Sequence, residues 1–115
     1  MKKTILILAS LALLSTSCVH SLYGWKDYQK TSDLYTRTKN EKTKKALMDS
    51  FKKIIDKKGG LRKTVPPGIC ADYGYMLIMD KKIPEGTALL QKEMQLYPES
   101  TVYITRLLNK YKTTK

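Results

Sequence analysis

Glycine and proline punctuate this chain at intervals that leave room for helices and for little else. Gly59-Gly60, Pro66-Pro67-Gly68, Pro84 and Pro98 cut the second half into stretches of a few helical turns. Between these breaks the apolar residues recur with a helical period. Leu47, Phe51, Ile54 and Ile55 stand at i, i+4, i+7 and i+8, the pattern of a helix with one buried stripe. Ile69, Tyr73, Met76 and Leu77 share a face in the next stretch. Leu89, Leu90, Met94 and Tyr97 do so after Pro84, and Ile104, Leu107, Leu108 and Tyr111 after Pro98. No stretch alternates with period two well enough to support a sheet, so the sequence predicts an all-α chain.

The helix ends follow from local chemistry. Ser32 is placed to cap a short helix from Asp33 to Lys39, and Asn40 to cap a longer one over 41–58. Lys45 with Asp49, and Lys52 with Asp56, lie one turn apart on the outer face of that longer helix. Gly59-Gly60 ends it, because glycine tolerates the left-handed conformation of a C-cap. Pro66-Pro67-Gly68 is expected in the first turn of a third helix, where proline's missing N–H is harmless. Pro84 opens a fourth helix, Pro98 stops it, and Ser100 is placed to cap the last.

Residues 67–98 allow a sharper register test. A tetratricopeptide repeat has about 34 residues, with glycine, small, large apolar and proline positions at fixed offsets. With Gly74 on the repeat's glycine, Gly86 takes the small position, Leu90 the large apolar one and Pro98 the proline. Cys70 stands where the repeat has tryptophan. The expected fold is therefore a small tetratricopeptide-like stack of helical hairpins over 32–115, about five helices in all. Helices 33–39 and 41–58 form a first hairpin, and 101–112 a terminal cap. In that register Ala71, Tyr75, Ile78 and Met79 face the concave side.

The N-terminus reads as an export signal. Lys2 and Lys3 are a short positive region, and the run Ile5 to Leu14 is nearly all apolar. It is too short to span a bilayer, which takes roughly 20 residues. It has the length of a signal-peptide core, and small residues follow it. Leu14-Ser15-Thr16-Ser17-Cys18 resembles a bacterial lipobox, with its leucine four positions before the cysteine. Ordinary signal peptidase would accept Ser15 and Ser17 and cut at the same bond. Residues 1–17 are thus a cleaved signal, Cys18 is the expected lipidation site, and 18–31 is an anchor and aromatic lead-in segment containing Leu22, Tyr23, Trp25 and Tyr28. With Val19 after the cysteine rather than aspartate, the resemblance implies the outer membrane, facing the periplasm.

The chain has 22 basic and 10 acidic residues. Without Lys2 and Lys3 the balance is 20 against 10, a net +10 on the mature part. Such a charge fits nucleic acid, anionic lipid or acidic partners, and export argues against nucleic acid. Lys57, Lys58, Arg62 and Lys63 lie close together between helices. With Cys18 lipidated, Cys70 has no partner for a disulfide and reads as a small buried hydrophobe.

A larger resemblance gathers these residues. Leu22, Tyr23, Trp25 and Tyr28 lead in, then Leu34-Tyr35, a long amphipathic helix, Val65-Pro66-Pro67-Gly68 and Gly74-Tyr75. Glu93, Gln95, Leu96, Pro98-Glu99-Ser100, Val102 and Arg106-Leu107-Leu108 follow. The pattern is similar to a bacterial lipoprotein family catalogued as domain of unknown function 4810. The resemblance implies an outer-membrane lipoprotein with a repeat-like helical fold. It implies partners among other envelope lipoproteins, including a curli-secretion-channel-like lipoprotein. It implies no activity, cofactor or small-molecule substrate.

The residues themselves carry no recognisable chemistry. His20 is the only histidine, it sits beside the proposed anchor, and no ligand set at metal spacing accompanies it. A serine or cysteine nucleophile would lack a histidine base in the folded part. The sequence therefore points to a non-enzymatic, metal-free, cofactor-free interaction protein whose partner-binding residues are Tyr23, Trp25, Tyr75 and Met79. The alternative is a basic surface built on Lys57, Lys58, Arg62 and Lys63 that meets anionic lipid, lipopolysaccharide or cell-wall polymer.

Overall fold

The computed structural model describes residues 1–5 and 20–112. Beyond one helical turn at 2–5, the helices are α1 (Tyr28–Thr38), α2 (Glu41–Asp56), α3 (Ile69–Met79), α4 (Ile83–Leu96) and α5 (Thr101–Lys112), with a 3-10 turn at Pro98–Ser100 before the last. Among the described residues no strand occurs, and the chain is all-α. The helices pack as successive neighbours: α1 on α2, α2 on α3, α3 on α4 and α4 on α5. This is the predicted stack of hairpins.

The first helix starts earlier than its sequence predicts. It begins at Tyr28, with Asp27 as a cap residue that makes no side-chain cap bond. Ser32 is an interior residue of the helix. Tertiary packing explains the shift. The Tyr28 ring lies 5.6 Å from that of Phe51 and 5.8 Å from that of Trp25. Thr31 Oγ1 donates to the Asp27 carbonyl at 3.0 Å, closing the turn without a cap. The lead-in segment therefore runs straight into α1, with no boundary at residues 31–32.

At α2 the expected cap is present. Asn40 Oδ1 accepts from the Thr43 N–H at 2.9 Å, and Thr43 Oγ1 accepts from the Asn40 N–H at 3.3 Å, a reciprocal capping box. Leu47, Phe51 and Ile54 are buried as the periodicity requires, and Ile55 packs at the margin. The helix ends at Asp56, two residues before the predicted end. Among the described residues, ion pairs form between Arg37 and Asp33 and between Lys44 and Asp80. Neither Lys45–Asp49 nor Lys52–Asp56 is among them.

Pro66 and Pro67 lie before α3 rather than in its first turn. Gly68, at φ +89°, is the residue that turns the chain into the helix. Two side chains of the α4 end hold this loop. Glu93, buried at 2% exposure, accepts the Gly68 N–H at 2.6 Å. Tyr97 Oη donates to the Val65 carbonyl at 2.6 Å. Val65 and Pro66 are buried beneath them. Pro84 stands in the first turn of α4, as expected. Ser100 is not a simple cap, since its hydroxyl donates to the Tyr97 carbonyl at 2.7 Å.

α3 and α4 cross with their backbones in close approach. A Cβ placed on Gly74 would sit 2.7 Å from the Gly86 carbonyl oxygen, and one on Gly86 would sit 2.5 Å from that of Gly74. Only glycine lets the two backbones approach this far. Two apolar clusters flank the crossing. One holds Leu47, Phe51, Ile54, Val65, Ile69, Cys70, Tyr73 and Leu77. The other holds Ile78, Leu90 and Ile104, with Leu107, Leu108 and Tyr111 against it.

Candidate interaction groove

α1, α2 and α3 enclose a groove of about 450 Å³. α1 contributes Tyr28, Ser32 and Tyr35, and α2 contributes Lys44, Leu47 and Phe51. α3 contributes Asp72, Tyr75, Met76 and Met79. The spacing 72, 75, 76, 79 is one face of a helix, so a single helical stripe supplies that wall. Tyr75 and Met79 are 41% and 56% exposed, large apolar side chains that the fold does not cover. At the mouth, Tyr111 Oη donates to Met79 Sδ at 3.5 Å, and the Tyr75 and Tyr111 rings lie 6.3 Å apart.

The groove's charges are unequal. The Lys44 ammonium is bound to the Asp80 carboxylate, and that bond raises its pKa above the ordinary lysine value. Asp72 has no cationic partner among the described ion pairs. It accepts from Tyr28 Oη at 3.3 Å, and its withdrawal from water lifts the carboxyl above the ordinary aspartate range.

Two of the four expected concave positions lie elsewhere. Ile78 is 4% exposed and packs with Leu90 and Ile104, and Ala71 packs against the same cluster. They face α4 and α5. Asp72 and Met76 take their places in the groove. The i, i+3, i+7 spacing of Asp72, Tyr75 and Met79 contained that signal, and the repeat register pointed one residue away from it.

Tyr23 and Trp25 are not in the groove. They belong to a strap, residues 21–25, laid across the loop after α2. Leu61 N–H donates to the Ser21 carbonyl at 3.1 Å and Arg62 N–H to the Leu22 carbonyl at 3.0 Å. A Cβ on Gly24 would lie 2.6 Å from Gly59 Cα, so strap and loop meet glycine on glycine. The strap's rings continue into the core. Tyr23, Trp25, Tyr28, Phe51 and Tyr73 form one row with successive centroid separations of 6.3, 5.8, 5.6 and 5.6 Å.

The basic group sits on the loop beneath this strap. Arg62 donates to Tyr23 Oη at 3.0 Å, with its guanidinium 5.6 Å from the ring centre. Lys57 caps α2, and Lys63 holds a left-handed backbone at φ 46°. Lys57, Lys58 and Lys63 are exposed. The loop thus gathers all four residues, but Arg62 is engaged in holding the strap.

Cys70 is fully buried, and desolvation pushes its thiol up to about 11. Cys18, the expected lipidation site, lies outside the described residues. Among the described residues, no group of three His, Cys, Asp or Glu side chains is placed to hold a metal ion. No described helix is long and apolar enough to cross a membrane.

The profile of one protein family, described as a domain of unknown function (DUF4810), matches residues 22–107. Comparison with curated proteins and with solved structures gives no match. The matched span begins in the strap, takes in the groove and the α3–α4 crossing, and ends inside α5. The chain belongs to the DUF4810 family.

Proposed function

We propose that this chain is a non-catalytic interaction subunit of the bacterial cell envelope. It is tethered to the outer membrane through Cys18, faces the periplasm, and holds a segment of another envelope lipoprotein in the groove between α1 and α3. The observation that carries this reading is the groove itself. Tyr28, Tyr35, Tyr75, Met76 and Met79 line it, and the outer two remain exposed. Tyrosine and methionine supply large, adaptable contact surface, the composition that protein-binding sites favour. The anchor is supported by the sequence LLSTSC after a ten-residue apolar run. The implied family setting makes a curli-secretion-channel-like lipoprotein the first partner to test.

Two variants separate this reading from a purely electrostatic one. The first replaces Tyr75 and Met79 with alanine. The second replaces Lys57, Lys58, Arg62 and Lys63 with glutamine. Recovery of partners from detergent-solubilised envelope is compared at low and raised salt. The groove reading expects loss of the partner in the first variant and retention in the second, with little salt sensitivity. Loss in the second variant, together with loss at raised salt, would replace it with binding to a polyanion such as lipopolysaccharide or wall polymer.

A further inference from the structure

The joint between strap and loop exposes side chains that the core does not use. Leu22 is 52% exposed, Leu61 62% and Trp25 38%. Leu61 is bonded through its backbone to Ser21, and it shares an open hollow of about 570 Å³ with Trp25. The two segments that meet at the joint are rich in cations. Segments 20–27 and 56–63 hold Lys26, Lys57, Lys58, Arg62 and Lys63 against only Asp27 and Asp56. The ion pairs of the described chain, Arg37–Asp33 and Lys44–Asp80, involve none of them. Exposed aliphatic side chains and a tryptophan on lysine-rich segments are the composition of a surface that works at the boundary of a lipid bilayer.

Chain length points the same way. Ser21 is fixed to the loop by its carbonyl, and it stands three residues after Cys18. Three extended residues reach at most about 11 Å. An acyl anchor at Cys18 would therefore hold this joint close to the membrane surface.

We infer that the strap–loop joint is the face this protein lays on an anionic phospholipid bilayer, with Leu22, Leu61 and Trp25 among the headgroups and Lys57, Lys58 and Lys63 over lipid phosphates. The inference rests on the proposed anchor at Cys18 and assigns the basic loop to the membrane rather than to the protein partner. It gives the strap a second purpose. By pinning residues 21–24 it would give a chain anchored at Cys18 a fixed orientation.

The single tryptophan of the chain is the reporter. Full-length protein purified from cells is reconstituted into phosphatidylcholine vesicles with and without phosphatidylglycerol, each carrying lipid brominated near the headgroup. Fatty-acid label on the same sample reads the anchor independently. The expected result is that Trp25 loses most of its emission to brominated lipid. The loss should be deeper with phosphatidylglycerol, and that extra loss should vanish in the triple variant Lys57→Gln, Lys58→Gln, Lys63→Gln. Labelled protein whose Trp25 is untouched by brominated lipid and stays open to acrylamide would overturn the footprint and leave the anchor standing. Unlabelled protein that is still quenched would support the footprint and overturn the anchor. Quenching that is equal in both vesicle types and unchanged by the triple variant would overturn the role given to the lysines.

Discussion

Two pairs of glycines make close backbone contacts in this molecule, and they do different things. Gly74 and Gly86 bring α3 and α4 together inside one helical hairpin. Gly24 and Gly59 bring a strap without secondary structure onto a loop. The first contact is flanked by buried Leu90 and Ile78 and belongs to the core. The second is flanked by solvent, and its partners are backbone bonds and exposed side chains. Close approach by glycine is in one case a means of packing and in the other a means of aiming. Removing the first should destabilise the whole fold. Removing the second should leave it folded and badly oriented.

The largest effect is expected at the helix crossing. Gly74→Leu places side-chain atoms where the Gly86 carbonyl already stands, and overpacking of this kind costs about 1–3 kcal/mol or more. In a domain of this size each kcal/mol lowers Tm by roughly 4–8 °C. An unchanged melting curve would mean that α3 and α4 do not cross as closely as described.

Glu93 joins that core to the loop before α3. Glu93→Ala removes the acceptor of the Gly68 N–H and leaves a donor unpaired beside the buried Pro66, at about 1–3 kcal/mol. Glu93→Gln keeps an acceptor and should recover most of the loss in a denaturant titration. Equal loss in both variants would show that the carboxylate charge, not the hydrogen bond, holds the loop.

At the strap the expectation reverses. Gly24→Ala sets a Cβ 2.6 Å from Gly59 Cα, where backbone cannot yield cheaply. The strap should lift while the helices stay folded, so Tm moves by less than about 1 kcal/mol equivalent. Trp25 emission, by contrast, should shift to the red. A fall in Tm as large as that of Gly74→Leu would erase the distinction between the two glycine pairs.

An effect confined to alkaline pH concerns Cys70. The Cys70 thiol titrates near 11 in the fold and at its ordinary 9.0 when unfolded. Between those values the unfolded state loses its proton first, so stability is full below 9.0 and declines as pH rises towards 11. Cys70→Ala should make that alkaline decline shallower in a series of melting curves. It should also lose a little stability at neutral pH, through the packing it removes.

What the sequence disclosed follows the same division. The α3–α4 crossing was legible because a repeat fixes Gly74, Gly86 and Pro98 at known offsets. The buried stripes of α2 and α5 were legible from period alone. The start of α1 was not, because the pull of Phe51 on Tyr28 outweighs the capping preference of Ser32. The strap was invisible for a stronger reason. Its bonds run from Ser21 and Leu22 to Leu61 and Arg62, some forty residues away, and no local pattern encodes such a pairing. The groove was half legible. Tyr75 and Met79 were found from the repeat register, while Asp72 and Met76 needed the packing of Ala71 and Ile78 against α4 and α5 to reveal which face remained open.

We propose that the molecule has two working faces, a groove for protein and a strap joint for lipid. Site-specific photo-crosslinking in intact cells tests it most directly, with the photoreactive residue placed at Met79 in one strain and at Leu61 in another. The expected result is a discrete protein adduct from Met79 that disappears when Tyr75→Ala is added, and lipid adducts from Leu61. Protein adducts from Leu61 with none from Met79 would contradict it.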